Sequence, residues 1–207
     1  MKRAQSYLAI LMIIACGLTN GISEAGQIST DPGSAGFYTV GGIRFSVPKG
    51  FRVLSKMSNA DTSILSNKKY DIGLIVKRVE SKLSEKDASS LASTVLQNYI
   101  SDKANFEWKR LEGDEKISKL EIQTERLLGF NGKGQALFQF RVVEAKGRKA
   151  LVGYFAYPPA MPDDKERFDK GLGFDCACDY EQAHIIASVT GESYDSIMQP
   201  GGISAPK

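Results

Sequence analysis

The stretch GFDCACDYEQAH, residues 173–184, holds two of the chain's three cysteines and its single histidine. Thiols one residue apart can form a disulfide, serve as a redox dithiol, or join an imidazole as ligands for copper or zinc. The neighbours bear on the choice. Asp175, Asp179 and Glu181 surround Cys176 and Cys178 with negative charge, which disfavours the thiolate, and the nearest preceding cation, Lys170, is six residues before Cys176. A helix start here would favour the thiolate, but a surface helix dipole contributes only about 0.3–1 kcal/mol. His184 lies five positions beyond Asp179 and on a helix points away from the first turn. The leading expectation is a Cys176–Cys178 disulfide clip at the start of a helix. Metal binding with His184, thiol-redox catalysis and unpaired thiols stay open beside it.

Other catalytic patterns are missing from the sequence. One histidine cannot build a site of several imidazoles, and no HExxH, Walker loop, GxGxxG or GxSxG occurs. The carboxylate pairs Asp163–Asp164 and Asp114–Glu115 fall in polar runs and read as solvated turn charges. The expectation is a protein without catalytic residues, resident metal or cofactor.

The elements that position these residues are strand-rich. FYTV and IRFSV flank Gly41-Gly42 as a hairpin, PKG turns the chain before FRVLS, and YDIGLIVKRV places Ile72, Leu74 and Val76 at the spacing of a strand. Ser84, with Asp87 three residues on, opens a helix in a variant of the capping box. Ala88, Leu91, Ala92, Val95, Leu96, Tyr99 and Ile100 form its apolar stripe, and Ser89, Ser90, Ser93, Gln97 and Asn98 face outward. EWKRLEG, KLEIQTERLLGF, GQALFQFRVVEA and RKALVGYFAYP then alternate with the turn sequences NGKG and KG, which predicts an antiparallel meander. Phe138 and Phe140 share one face, as do Tyr154 and Ala156. PDDKERFDKGLG predicts a short helical turn ended by Gly171 or Gly173. Asp179 is placed to cap a last helix with Ala183, Ile186 and Val189 or Thr190 inward.

The N-terminus carries a targeting pattern. MKRAQSY is a short basic region, LAILMIIA is apolar, and Cys16 follows. Such a run is too short to cross a bilayer core, which needs about 20 residues. It has the design of a secretory signal. IIAC resembles the bacterial lipobox, with Ile13 at the position where leucine is commonest, and implies lipidation of Cys16. A plain signal cut near Ala25, or an uncleaved anchor, is the alternative. Residues 17–36 are expected to be a flexible tether, 37–192 the folded domain and 193–207 a disordered tail. Removing Lys2 and Arg3 from 27 basic and 24 acidic residues leaves a net charge of +1, which gives no reason to expect nucleic acid as a partner. In an oxidising compartment free thiols are the exception, which favours the clip.

The order of hairpin, strand, long amphipathic helix, meander and closing helix resembles the PsbP/DcrB-like superfamily. Pro48, Gly50 and Phe51 match its P-x-G-aromatic turn, Gly129 and Gly132 its G-x-x-G, and Ile185 and Ser188 its I-x-x-S. The resemblance covers about residues 37–192. It implies an α+β fold: a single-domain α/β sandwich whose antiparallel sheet carries one long amphipathic helix and a C-terminal helix. It also implies accessory, assembly or binding work in exported proteins and lipoproteins, with no shared catalytic set. The combined expectation is a non-catalytic envelope protein on the periplasmic side. Its membrane contact is a lipid anchor and its partner another envelope protein or assembly. The rival class is a thiol-redox or metal-handling protein using Cys176-x-Cys178.

Overall fold

The structure is a computed structural model that describes residues 36–67, 69, 72–100, 105–111, 116–173 and 178–198. Strands β1 (Phe37–Val40) and β2 (Ile43–Ser46) form the expected hairpin, with Gly41 and Gly42 both at positive φ in the tight turn. Then follow β3 (Arg52–Val53), β4 (Thr62–Asn67) and β5 (Ile72–Val79). Helix α1 (Glu85–Ile100) crosses to the meander β6 (Glu107–Leu111), β7 (Glu121–Phe130), β8 (Gln135–Ala145) and β9 (Arg148–Ala156). Helices α2 (Asp164–Asp169), α3 (Cys178–Thr190) and α4 (Tyr194–Met198) close the described chain.

The main sheet has seven strands in the order β3-β4-β5-β9-β8-β7-β6, every neighbouring pair antiparallel. The fold is therefore α+β, an antiparallel sheet covered by helices. The meander is as expected, but the sheet continues because β9 pairs with β5 across the whole length of β5. Strand β4 has no counterpart in the sequence reading. TSILSN contains only Ile64 and Leu65 as apolar residues, too few for a period-two signal, yet all six residues are buried between β3 and β5.

Each face of the sheet carries its own core. On one, Ala88, Ala92, Val95 and Leu96 of α1 pack on Ile75, Phe138, Phe140 and Phe155. The Ser84 hydroxyl accepts from the Asp87 amide at 3.2 Å and donates to the Asp87 carboxylate at 2.7 Å, so this helix starts where the sequence places it. Ser93, expected to face outward, accepts instead from the Trp108 indole at 2.7 Å. On the other face, Ala183, Ile185, Ile186 and Val189 of α3 and Val40, Ile43 and Phe45 of the hairpin meet Leu74, Val76, Val152 and Tyr154. Helix α4 occupies residues 194–198 of the expected disordered tail, because Ile197 inserts into this second core at 1% exposure. Among the described residues no helix is long and apolar enough to cross a membrane.

Candidate functional site

Cys178, the first residue of α3, is buried at 3% exposure, whereas Cys176 and Asp175 lie outside the described residues, as do Cys16, Asp114 and Glu115. A reactive thiol needs access, and burial of Cys178 works against it. Among the described residues no group of three or more His, Cys, Asp or Glu side chains is arranged to hold a metal ion. His184 stacks on Tyr194 at 4.2 Å between ring centres and meets Tyr180 edge-on at 5.6 Å. Its partial burial lowers its pKa below the ordinary 6.5. Burial raises the Glu181 carboxyl, and burial followed by the nearby Glu181 charge pushes the Tyr154 phenol up to about 12.

Asp179 does not serve the role expected of it. It lies within the first turn of α3, and its Oδ1 accepts from Arg141 Nη2 at 2.6 Å and from Gln139 Nε2. The negative charge expected to bear on the thiols is in this case neutralised by an ion pair.

Arg141 is the centre of a polar cluster that the sequence reading missed. It is 1% exposed, and its Nη1 donates to Glu121 Oε2 at 2.9 Å. Glu121 is also buried, and its Oε1 accepts from the amides of Ile117 and Ser118 at 3.0 and 2.7 Å. The amide of Gln182, from the second turn of α3, donates to the carbonyls of Gln139 and Val152 at 3.0 and 2.9 Å. A buried ion pair is tolerable only when its remaining hydrogen-bonding groups are satisfied, as they are here. The cluster fastens the start of α3 to β7, β8 and β9. The available signal was Gln139 and Arg141 alternating with Phe138, Phe140 and Val142 in a strand otherwise apolar on both faces. Asp164 gives a second correction. It is 8% exposed, and its Oδ2 accepts from the Met161 amide at 2.8 Å, so it braces a turn rather than standing in solvent.

An open concavity lies at the far end of α3. It has a volume of about 510 Å³, between β2, the β8–β9 turn and the end of α3. Its rim carries three exposed cations, Arg44, Lys146 and Arg148, and its floor the buried Ile43, Ala150 and Val189. Phe37 closes one side, with the Arg44 guanidinium 4.2 Å above its ring centre. Lys146 and Gly147 both take positive φ, giving the tight hairpin turn that places Lys146 and Arg148 at the mouth. Arg148 donates to the Gly42 carbonyl, and Gly42 permits that approach, since a Cβ there would sit 2.4 Å from Arg148 Nη1. Ser188, also lining the cavity, has its hydroxyl engaged: it accepts from the Ser46 amide at 2.9 Å and donates to the Ile185 carbonyl at 2.8 Å. No local sequence pattern marks this site, because its parts are about a hundred residues apart.

No family profile and no curated protein sequence matches the chain. Among solved structures, the chain is similar to the Ran-binding protein Mog1p of Saccharomyces cerevisiae. The identity is 14%, over 72% of this chain and 89% of that one, with a TM-score of 0.43. It is also similar to a mutant form of the protein Mog1 at 14% identity, over 64% of this chain and 80% of that one, with a TM-score of 0.39.

Proposed function

We propose that this chain is an exported, non-catalytic binding or accessory protein of the bacterial cell envelope. It is lipid-anchored through Cys16 and acts through contacts with another envelope protein on the periplasmic side. The observation that carries the reading is the cavity between β2, the β8–β9 turn and α3: a recess of ligand-binding size with an apolar floor and cations at its mouth. Its one hydroxyl, that of Ser188, is committed to the fold. The basic-then-apolar N-terminus ending at Cys16 supports export and anchoring, and the element order supports kinship with the PsbP/DcrB-like superfamily. A Cys176–Cys178 clip belongs to the same proposal. It is supported by the burial of Cys178 at the first residue of α3, which keeps that sulfur from solvent. The clip would hold the loop before α3 against the turn that Asp179 anchors to Arg141.

The test is expression of the full chain in a bacterium with a photo-crosslinking residue in place of Lys146. A discrete protein adduct in the envelope is expected. Cys16→Ala should abolish incorporation of labelled lipid and release the chain from the membrane. Adducts no different from those of a crosslinker placed at exposed Glu85, on the opposite face, would sink the binding reading.

A further inference from the structure

We infer that the cavity at β2 binds an extended acidic segment of a protein partner, which pairs its main chain with β2 at Arg44, where that edge is open, and sets its carboxylates on Arg44, Lys146 and Arg148. This deepens the function proposed above and rests on it.

The first support is the edge. β1 and β2 form a sheet of only two strands; α3 flanks β2 and accepts from its Ser46 amide, and Arg148 donates to the Gly42 carbonyl. Among the described residues the outer edge of β2 is thus left without a partner at Arg44. Ser46 sits opposite Phe37, and its amide leaves the hairpin to reach Ser188 Oγ. In an antiparallel ladder, amides pointing away from the partner recur every second residue. Arg44, two residues earlier and opposite Thr39, therefore turns its N–H and C=O the same way, toward the cavity it lines. Among the described residues no hydrogen bond occupies these two groups. They are the donor and acceptor pair that an added strand uses.

The second support is charge. Arg44, Lys146 and Arg148 are exposed around one recess, and among the described residues none of them is ion-paired. Some exposed cations elsewhere have carboxylate partners, Lys165 with Asp169 and Lys170 with Glu166, but what sets Arg44, Lys146 and Arg148 apart is that all three converge on one recess. Guanidinium groups take carboxylates in a planar, two-pronged geometry, which favours Asp and Glu over a diffuse negative surface. The third support is the floor. Ile43, Ala150 and Val189 offer an apolar seat beneath the cations, so the segment that fits carries an apolar side chain beside its acids. In an extended chain, side chains alternate between two sides at about 3.3 Å per residue, which lets one face meet the rim while the main chain follows β2. A bilayer surface would meet the rim but leave the recess and the edge of β2 unfilled.

The test uses the full chain in detergent micelles and a short fluorescent peptide in which Glu alternates with Leu. The control replaces every Glu by Gln. The Glu peptide should bind about tenfold or more tightly than the Gln peptide, with affinity falling as salt rises. Arg44→Ala and Lys146→Asn should each weaken binding several-fold, and Arg44→Ala/Lys146→Asn together should remove the preference for Glu. Lys146→Asn keeps a residue that tolerates positive φ, and both variants leave the Arg148–Gly42 contact in place, so melting temperatures near the parent's are expected. Equal binding of the two peptides, or binding unchanged in the double variant, overturns the inference. So does capture by phosphatidylglycerol vesicles that the Glu peptide does not displace, which would assign the cations to a membrane. Should the peptide fail while the Lys146 crosslink still forms, the binding reading stands and only its acidic chemistry is lost.

Discussion

Strand β8 shows its two sides to two different environments. Toward α1 it presents Phe138, Phe140 and Val142, which meet Ala88, Ala92, Val95 and Leu96 in a predominantly apolar layer. Toward α3 it presents Leu137, Gln139, Arg141 and Val143, where a charged and amide-rich cluster lies within the apolar core. The α1 layer is held by area removed from water, which is non-directional and forgiving of shape. The α3 layer depends on particular donors meeting particular acceptors, and such a network is costly when one member is lost. The same face that must be specified this closely also carries the cation-rimmed cavity at its edge.

Two substitutions of similar size in β8 test this contrast most sharply. Arg141→Met keeps much of the volume but leaves Glu121 buried without its partner, and should destabilise by about 3–5 kcal/mol in urea unfolding. Phe140→Leu, on the other side of the same strand, should cost under about 1.5 kcal/mol. Equal losses would show that the two faces are not different in kind. A smaller effect is expected at the start of α1, where Ser84→Ala removes the acceptor of the Asp87 amide and should cost about 1 kcal/mol. That loss should leave peptide binding at the cavity unchanged, since α1 lies on the opposite face.

The smallest expected effect is a pH slope on the α3 face. Burial against Tyr180 and Tyr194 lowers the His184 pKa in the folded chain, so as pH falls through the ordinary value of 6.5 the unfolded chain binds the proton first. Stability is therefore whole above that value and declines below it. Glu181 has the opposite sign: its pKa is raised in the folded chain, so its contribution is present below the ordinary 4.5 and fades as pH rises through the folded value. Urea melts between about pH 7.5 and pH 5.5 should show a shallow loss of stability toward acid that His184→Phe flattens. A slope unchanged in that variant would place the titrating group elsewhere.

Much of the fold was legible because its signals are local. The stripe of α1 and its Ser84 cap, the Gly41-Gly42 and Lys146-Gly147 turns, and the alternation within β8 and β9 all operate within a dozen residues, where spacing along the chain translates directly into direction in space. The candidate site was legible only in part. The segment 173–184 drew attention to Cys178, Asp179 and His184, but the role of Asp179 depended on Arg141 across 38 positions. The side chains at 44, 146 and 148 read as ordinary surface charge when seen one at a time.

By itself the sequence determined an antiparallel α+β domain, the long helix and where it starts, and a basic-apolar N-terminus leading to Cys16. Tertiary structure alone decided that TSILSN is a buried strand and that β9 joins β5. It also decided that Arg141 belongs to the core and that Arg148 reaches Gly42, 106 positions away. The physical reason is that a hydrogen bond or an ion pair has no period along the chain. Its partners are chosen by which strands lie side by side, and that choice exists only once the sheet has formed.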